Sequence, residues 1–432
     1  MPGGTLIGLV PPTDISTDTA AEPTRLFLGS LIAVTFVMNA IGRGVTETFA
    51  VFLLPVEKAL GVDRAAIAAT YAIYMLAYGI AAPFAGQLMD RLGARACYGA
   101  GLSMLGSGYL LAGSVDTIWF YYLTVGVLGG FGAATLGMVA ASSLLSRWFT
   151  ERMGSVAAFP YAAIGAGMIL FPPAAQMLVD AFDWRAAHQI LGAVTLSGLL
   201  LVAVLPLRRF TEGSEAWRAR RFAASSSGAA WSMTAAMRTG AFWALFLAYF
   251  ATSVAAYAVM PHSVAFLVEQ GFNPLVAAAA FGFNGVMSVI GIIAIGWLSD
   301  RWGRRPTVTL SYLSSITGIA SLLLVAMWPS MIPVYAFVVF FGLMQGARGP
   351  ILVALVARIF AGGSVGTIFG ALSMALGTGA AAGSFSAGLI HQWTGTYTGA
   401  FVLAICSCCV GIATFWLAPS LRLERVIGRV GG

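Results

Sequence analysis

Arg43 and Glu47 stand four residues apart in NAIGRGVTETFAVF (39–52), inside an apolar run that extends from 26 to 54. On a helix this spacing puts guanidinium and carboxylate on one face, where they can pair. A third charge, Arg348, lies in the apolar stretch GLMQGARGP (342–350). An ionisable side chain at membrane depth costs about 2.5–3.5 kcal/mol on insertion scales, so each of the three needs a compensating partner. Arg43 and Glu47 can compensate each other as a structural pair. Arg348 has no acid in its own run. A guanidinium fork matches a carboxylate bidentately, so Arg348 points to a bound anion; a cross-helix pair with Glu47, or with backbone carbonyls, is the alternative. Two Arg against one Glu leave a surplus positive charge, which favours a monoanion over a cation. Glu47 is the candidate proton carrier. Burial disfavours its charged form and the adjacent Arg favours it, so an anion that draws on the Arg residues tips Glu47 toward protonation.

Weaker candidates surround these three. Asn39, one turn before Arg43, is placed to cap the site. Tyr257 and Asn284 offer hydrogen bonds to a carboxylate or hydroxyl, as do Tyr71, Tyr74, Tyr161 and Tyr249. Packing is the competing role for each. His262 follows Met260–Pro261 and reads as a gate, a second proton site or an interfacial histidine. His188 and His391 read as helix-end residues.

Long apolar elements must position these groups. The chain of 432 residues is 59% hydrophobic and 9% charged, where soluble domains carry about 25% charged residues. About 20 apolar residues cross a bilayer core. Twelve such runs are present, at 26–54, 65–88, 97–114, 118–146, 153–179, 187–207, 241–268, 275–298, 307–327, 331–358, 365–391 and 398–419. The net charge of +7 comes from Arg residues concentrated in alternate loops: Arg91 and Arg95, Arg147 and Arg152, six between 208 and 238, then Arg301, Arg304, Arg305, Arg358 and the final tail. The opposite loops hold only Lys58, Arg64 and Arg185, each near an acid. This is the positive-inside pattern. It puts both termini in the cytoplasm of an inner, plasma-type membrane and excludes nucleic acid as the reason for the charge. Residues 1–25 read as a disordered cytoplasmic tail and 420–432 as another. The basic, Ser/Ala-rich stretch 208–240 reads as a solvated linker between two six-helix bundles, 26–207 and 241–419, lying near anionic lipid headgroups.

A repeat supports that division. GQLMDRLGAR (86–95) and GWLSDRWGRR (296–305) share G-x-L-x-D-R-x-G-x-R at an offset of 210 positions, and RWF (147–149) and RIF (358–360) recur at 211. An even number of runs separates the copies, so the halves are parallel repeats. In such carriers the site lies near the midplane between the repeats.

The loop motif resembles that of the major facilitator superfamily, over the whole chain. NAIGRGVTETFAVFLLPVEKALG, SRWFTERMGSVAA, FPPAAQMLVDAFDWRAA and RGPI further resemble the monocarboxylate-transporter group and its bacterial oxalate/formate-antiporter-like relatives. The resemblance implies an all-α integral membrane fold of twelve transmembrane helices, in two parallel-repeat halves around a central cavity lined by helices 1, 4, 7 and 10. It implies a monomeric secondary active transporter of a small organic anion, a monocarboxylate above all, by proton symport or anion exchange through rocker-switch alternating access. Gly86, Asp90, Arg91, Gly93 and Arg95, with Gly296, Asp300, Arg301, Gly303 and Arg305, would form the gating loops, each Asp pairing with an Arg and accepting bonds from an adjoining helix N-terminus. Two departures stand out. Glu47 falls where many members have Lys. The family's helix 8 Asp and Arg are here Ser288 and Ile292, so Arg348 would take over that anion-binding role.

Pro172–Pro173 and Gly349–Pro350 mark expected bending points of helices 5 and 10. No Walker A sequence, nucleophile–base constellation or metal-ligand set is present, and no cofactor is implied. CSCC at 406–409 lacks partner ligands, and GVLGGFGAATLG (126–137) has no strand before it, so small-residue packing explains its glycines. The competing readings are efflux of neutral or amphipathic compounds, and a membrane sensor.

Overall fold

The structure, a computed structural model, describes residues 24–149, 153–214, 233–345, 347–360 and 365–418. All regular elements among them are helical. Nine described helices are long and apolar enough to cross a membrane. One of them, Arg64–Ala112, has 49 residues. At 1.5 Å per residue it spans more than twice a ~30 Å hydrocarbon core, and it turns back at Gly93, whose φ is +82°. It is therefore the second and third crossings in one. The tenth crossing is split into Met331–Met344 and Arg348–Ile359, and the eleventh is Val365–Thr394. The fold is the expected twelve-helix bundle.

The repeat is visible in the backbone. Gly93 and Gly303 both adopt positive φ at the same place in the two loop motifs, and Gly61 and Gly271 do so after the first and seventh spans. Each pair is 210 positions apart. Only glycine takes this conformation without steric cost, which explains the motif's fixed Gly. The four spans expected to line the cavity are each interrupted: the first at Thr48, the fourth at Gly137, the seventh at Ala258–Val259 and the tenth at Gln345 and Ala347. Thr48 and Ala258 are again 210 apart, as are Gly137 and Ala347. A break inside the bilayer persists only where other groups take up the freed backbone. At Thr48, the Tyr109 hydroxyl donates to the Val45 carbonyl at 2.7 Å and the Thr48 hydroxyl donates to it at 2.5 Å.

The expected bending points shift accordingly. Met153–Ala181 runs as one helix through Pro172 and Pro173. The tenth span breaks just before Arg348, which places Pro350 in the first turn of the new helix, where its missing N–H is tolerated. The stretch 208–240 is not linker throughout: Leu207–Glu212 is helical, with Leu207 and Phe210 buried. Residues 1–23, 215–232 and 419–432 lie outside the described set.

Two apolar clusters hold the chain. One draws mainly on residues from Leu31 to Phe210, the other from Ala236 to Phe415. Across the seam, Arg64–Ala112 packs on Val365–Thr394, and Met153–Ala181 packs on Pro274–Trp302. The second contact is backbone-close. A Cβ on Gly165 would overlap the Gly285 carbonyl oxygen, and one on Gly285 would meet the Gly165 carbonyl oxygen at 2.6 Å. Gly165→Val should therefore destabilise the protein by about 1–3 kcal/mol through overpacking, lowering its melting temperature and its transport rate. Gly29→Val, with nothing within 4 Å, should leave both unchanged.

Candidate functional site

Glu47 is the last residue of Arg25–Glu47, just before the break at Thr48, and Arg43 stands one turn earlier. The i,i+4 pair forms as expected, Arg43 Nη2 to Glu47 Oε1 at 2.7 Å, with Glu47 only 2% exposed. Arg43 Nη2 also donates to the Tyr257 hydroxyl at 2.7 Å. Tyr257 ends Gly240–Tyr257, the first piece of the seventh span, so this bond ties the N-terminal half to the C-terminal half at the two matching helix breaks. The Tyr71 ring packs 5.9 Å from that of Tyr257.

Arg348 opens Arg348–Ile359 and is 7% exposed. Its Nη2 donates to Ser315 Oγ at 2.8 Å and reaches the Met344 carbonyl oxygen at 3.5 Å. Its guanidinium lies 4.4 Å from the centre of the Tyr312 ring. Nε and Nη1 are buried with no hydrogen-bond acceptor among the described residues, and Glu47 pairs with Arg43 instead. A ring face and a serine compensate part of this charge. Leaving charge-bearing N–H groups buried and unpaired is costly. A cavity of about 120 Å³ adjoins Arg348, walled also by Tyr249, Thr252, Ser253, Tyr257 and Gln345.

Other expected residues are engaged elsewhere. Asn39 donates to the Pro160 carbonyl at 2.6 Å, bracing the first span on the fifth. Asn284 donates to the Ala280 carbonyl at 3.3 Å, and its Oδ1 faces Gly342 of the tenth span. Ser288 bonds its own helix, at the Gly285 carbonyl. None of the three borders the Arg348 cavity.

His262 belongs to a second cluster, at the end of the bundle opposite the Arg-rich loops. Arg64 Nε reaches Glu57 Oε2 at 2.7 Å within its own half, and Arg64 Nη2 reaches Glu269 Oε1 at 2.7 Å in the other. Arg64 Nη1 donates to the Tyr397 hydroxyl. Tyr397 contacts His262 Nδ1 at 3.3 Å, His262 Nε2 contacts the Ser384 carbonyl oxygen at 3.0 Å, and His391 Nε2 lies 3.3 Å from Glu269 Oε2. The sequence reading placed Arg64 near an acid but found neither Glu269 nor Tyr397. The available signal was scarcity: Arg64 is one of three basic residues on that face, with Lys58 and Arg185.

The loop motif behaves differently from the expected helix-capping arrangement. Asp90 pairs with Arg147 at 2.7 Å and accepts from Ser143 at 3.0 Å, all within the N-terminal half. The amide just after Gly93, that of Ala94, is capped by Thr211 Oγ1 at 3.0 Å. Arg91 and Arg95 are exposed, and a Cβ on Gly86 would meet Val139 at 3.3 Å. Arg301 and Arg305 stack on Trp297 and Trp416, 5.4 and 5.8 Å from the ring centres. The surroundings of Gly296 and the Asp300 side chain lie outside the described set.

A twelve-span duplicated bundle whose halves are joined through Arg43 and Arg64 is built as a membrane carrier. The family profile of the Major Facilitator Superfamily matches residues 32–347, and the chain belongs to that family. It is similar to monocarboxylate transporter 13 of Rattus norvegicus, 25% identical over 370 residues that cover 85% of this chain and 83% of that one. It is 27% identical to monocarboxylate transporter 11 of Homo sapiens, over 91% of this chain and 83% of the relative. An uncharacterized MFS-type transporter of Bacillus subtilis (strain 168), YcxA, is 25% identical over 91% of this chain and 96% of its own length. Among solved structures, a D-xylose–proton symporter superposes with a TM-score of 0.71 at 15% identity, over 92% of this chain and 99% of that one. A partially occluded inward-open form of the xylose transporter XylE from E. coli gives 0.68 at 14% identity, over 90% and 99%. At those identities the solved structures speak to the fold alone.

Proposed function

We propose that this transporter carries a small organic anion, a monocarboxylate first of all, by proton symport or anion exchange with rocker-switch alternating access. The observation that carries the reading is Arg348: a residue on the wall of a cavity, its buried guanidinium keeping two donor nitrogens without an acceptor among the described residues. The names of the monocarboxylate-transporter relatives support the same cargo class. The unit is a monomer in a bacterial inner membrane with both termini in the cytoplasm. The Arg distribution supports that orientation, and a bacterial relative of nearly full length supports the setting.

The test is a thermal-shift titration of purified protein with acetate, pyruvate, L-lactate and a dicarboxylate. Wild type should be stabilised by a monocarboxylate, and Arg348→Ala should weaken that ligand about 10–100-fold, the loss expected for removing charged hydrogen bonds. Stabilisation only by bulky neutral compounds would instead favour efflux and sink the carboxylate reading.

A further inference from the structure

We infer that Tyr257 is a second carboxylate-binding group and the link through which a bound anion controls the Arg43–Glu47 pair. This rests on the anion-carrier reading above. Three observations meet at this one hydroxyl. It accepts a 2.7 Å bond from Arg43 Nη2, the same nitrogen that pairs with Glu47. Its own proton has no acceptor among the described residues. The residue also lines the cavity that Arg348 borders. Tyr257 and Glu47 hold equivalent places in the two repeats, 210 positions apart, so the duplicated helix break presents an acceptor to Arg43 from each half.

A carboxylate in that cavity takes N–H donors from Arg348 on one oxygen and the Tyr257 O–H on the other. A phenol that donates to an anion becomes a better acceptor, because hydrogen bonds in a chain polarise one another. Arg43 is then drawn toward Tyr257, and its hold on Glu47 weakens. Glu47 takes a proton from water, and the carrier holds one anion and one proton together. The groups facing Glu47 are Arg43 on its own helix, Tyr71 on the second span, Tyr109 on the third and Tyr257 on the seventh. Arg43 is the only cation among these, so the state of Arg43 sets the balance. Linkage is reciprocal: if the anion promotes protonation of Glu47, lower pH tightens the anion.

The test is calorimetric titration of the intact, reconstituted protein with pyruvate and with L-lactate, in two buffers of different ionisation enthalpy, which counts the protons taken up on binding. Wild type should take up about one proton per anion, and its affinity should rise as pH falls. Tyr257→Phe keeps the ring against Tyr71 and removes only the hydroxyl. It should bind roughly 10–100-fold more weakly, the loss for one hydrogen bond to a charged group, with proton uptake near zero and a flat pH profile. Tyr257→Ser, which restores a hydroxyl without reaching Arg43, should behave like the Phe variant. Arg348-dependent binding that keeps its full proton count in Tyr257→Phe overturns the link alone. If neither probe binds wild type in an Arg348-dependent way, the anion reading fails and the link fails with it.

Discussion

Glu47→Gln should abolish pH-driven accumulation of a monocarboxylate while leaving exchange of internal for external substrate intact. The reasoning is a charge balance at the seam. Arg43 pairs with Glu47 and reaches Tyr257, and Tyr257 shares a cavity wall with Arg348, so two guanidinium groups stand against one carboxylate and leave one surplus positive charge in the empty carrier. Adding an anion cancels the surplus, and adding a proton to Glu47 restores it, so the empty and doubly loaded carriers present the same charge to the membrane. The glutamine substitution removes the carboxylate permanently. The anion-loaded variant then matches the doubly loaded wild type and can cross, but its empty form holds two uncompensated cations and cannot return. With one proton per anion, a gradient of one pH unit supports roughly tenfold accumulation. In proteoliposomes loaded with Glu47→Gln, pyruvate should show no net uptake with or without a pH gradient, while counterflow proceeds within a few-fold of wild type. Accumulation by Glu47→Gln under a pH gradient would remove Glu47 from the coupling step.

The Arg43–Glu47 pair and the spans that carry it were legible in the sequence because their determinants are local. An i,i+4 spacing is a contact on any helix, so Arg43–Glu47 followed from two positions. The twelve spans and their duplication followed from hydropathy and a loop motif with fixed glycines, and the positive φ at Gly93 and Gly303 gives those glycines their physical reason. The rest depends on pairings across hundreds of residues. Tyr257 lies 214 positions from Arg43, and Glu269 lies 205 from Arg64. Nothing in a single chain ties such residues together. The same limit explains Asn39: its spacing put it on the face of Arg43, but the Pro160 carbonyl, 121 positions away, claims it. Tyr312 and Ser315, which hold Arg348, were hidden in an apolar helix where a hydroxyl is usually a packing group. The break at Ala258–Val259 is marked by Pro261, in the first turn of the helix that follows, but the one at Thr48 carries no proline or glycine, the usual marks of an interruption. That they match becomes readable only once the two halves are laid over each other in three dimensions.

Arg64→Ala should open the end of the carrier opposite the Arg-rich loops. Arg64 binds both sides of the seam there, through Glu57 in its own half and Glu269 and Tyr397 in the other. Without it the two carboxylates lose their shared cation; among the described residues, Glu269 keeps only His391, and Tyr397 keeps only His262 as a polar partner. The acids are partly exposed, at 21% and 31%, so solvent softens the loss. Charged hydrogen bonds of this kind contribute about 1.5–3 kcal/mol each, and a net change of that size shifts the closed–open balance by roughly 10–100-fold. Ser384 provides the reporter, since it is fully buried beneath His262, which bonds its carbonyl. In a background lacking the four native cysteines, Ser384→Cys should react slowly with an impermeant maleimide, and adding Arg64→Ala should speed labelling by roughly that factor. Arg64→Lys should fall between the two, because a single ammonium cannot present the three directed donors that reach Glu57, Glu269 and Tyr397. Equal labelling rates with and without Arg64 would mean that the apolar packing of Phe49–Leu60 on Met260–Glu269 closes this end by itself, and that the ion cluster follows closure rather than holding it.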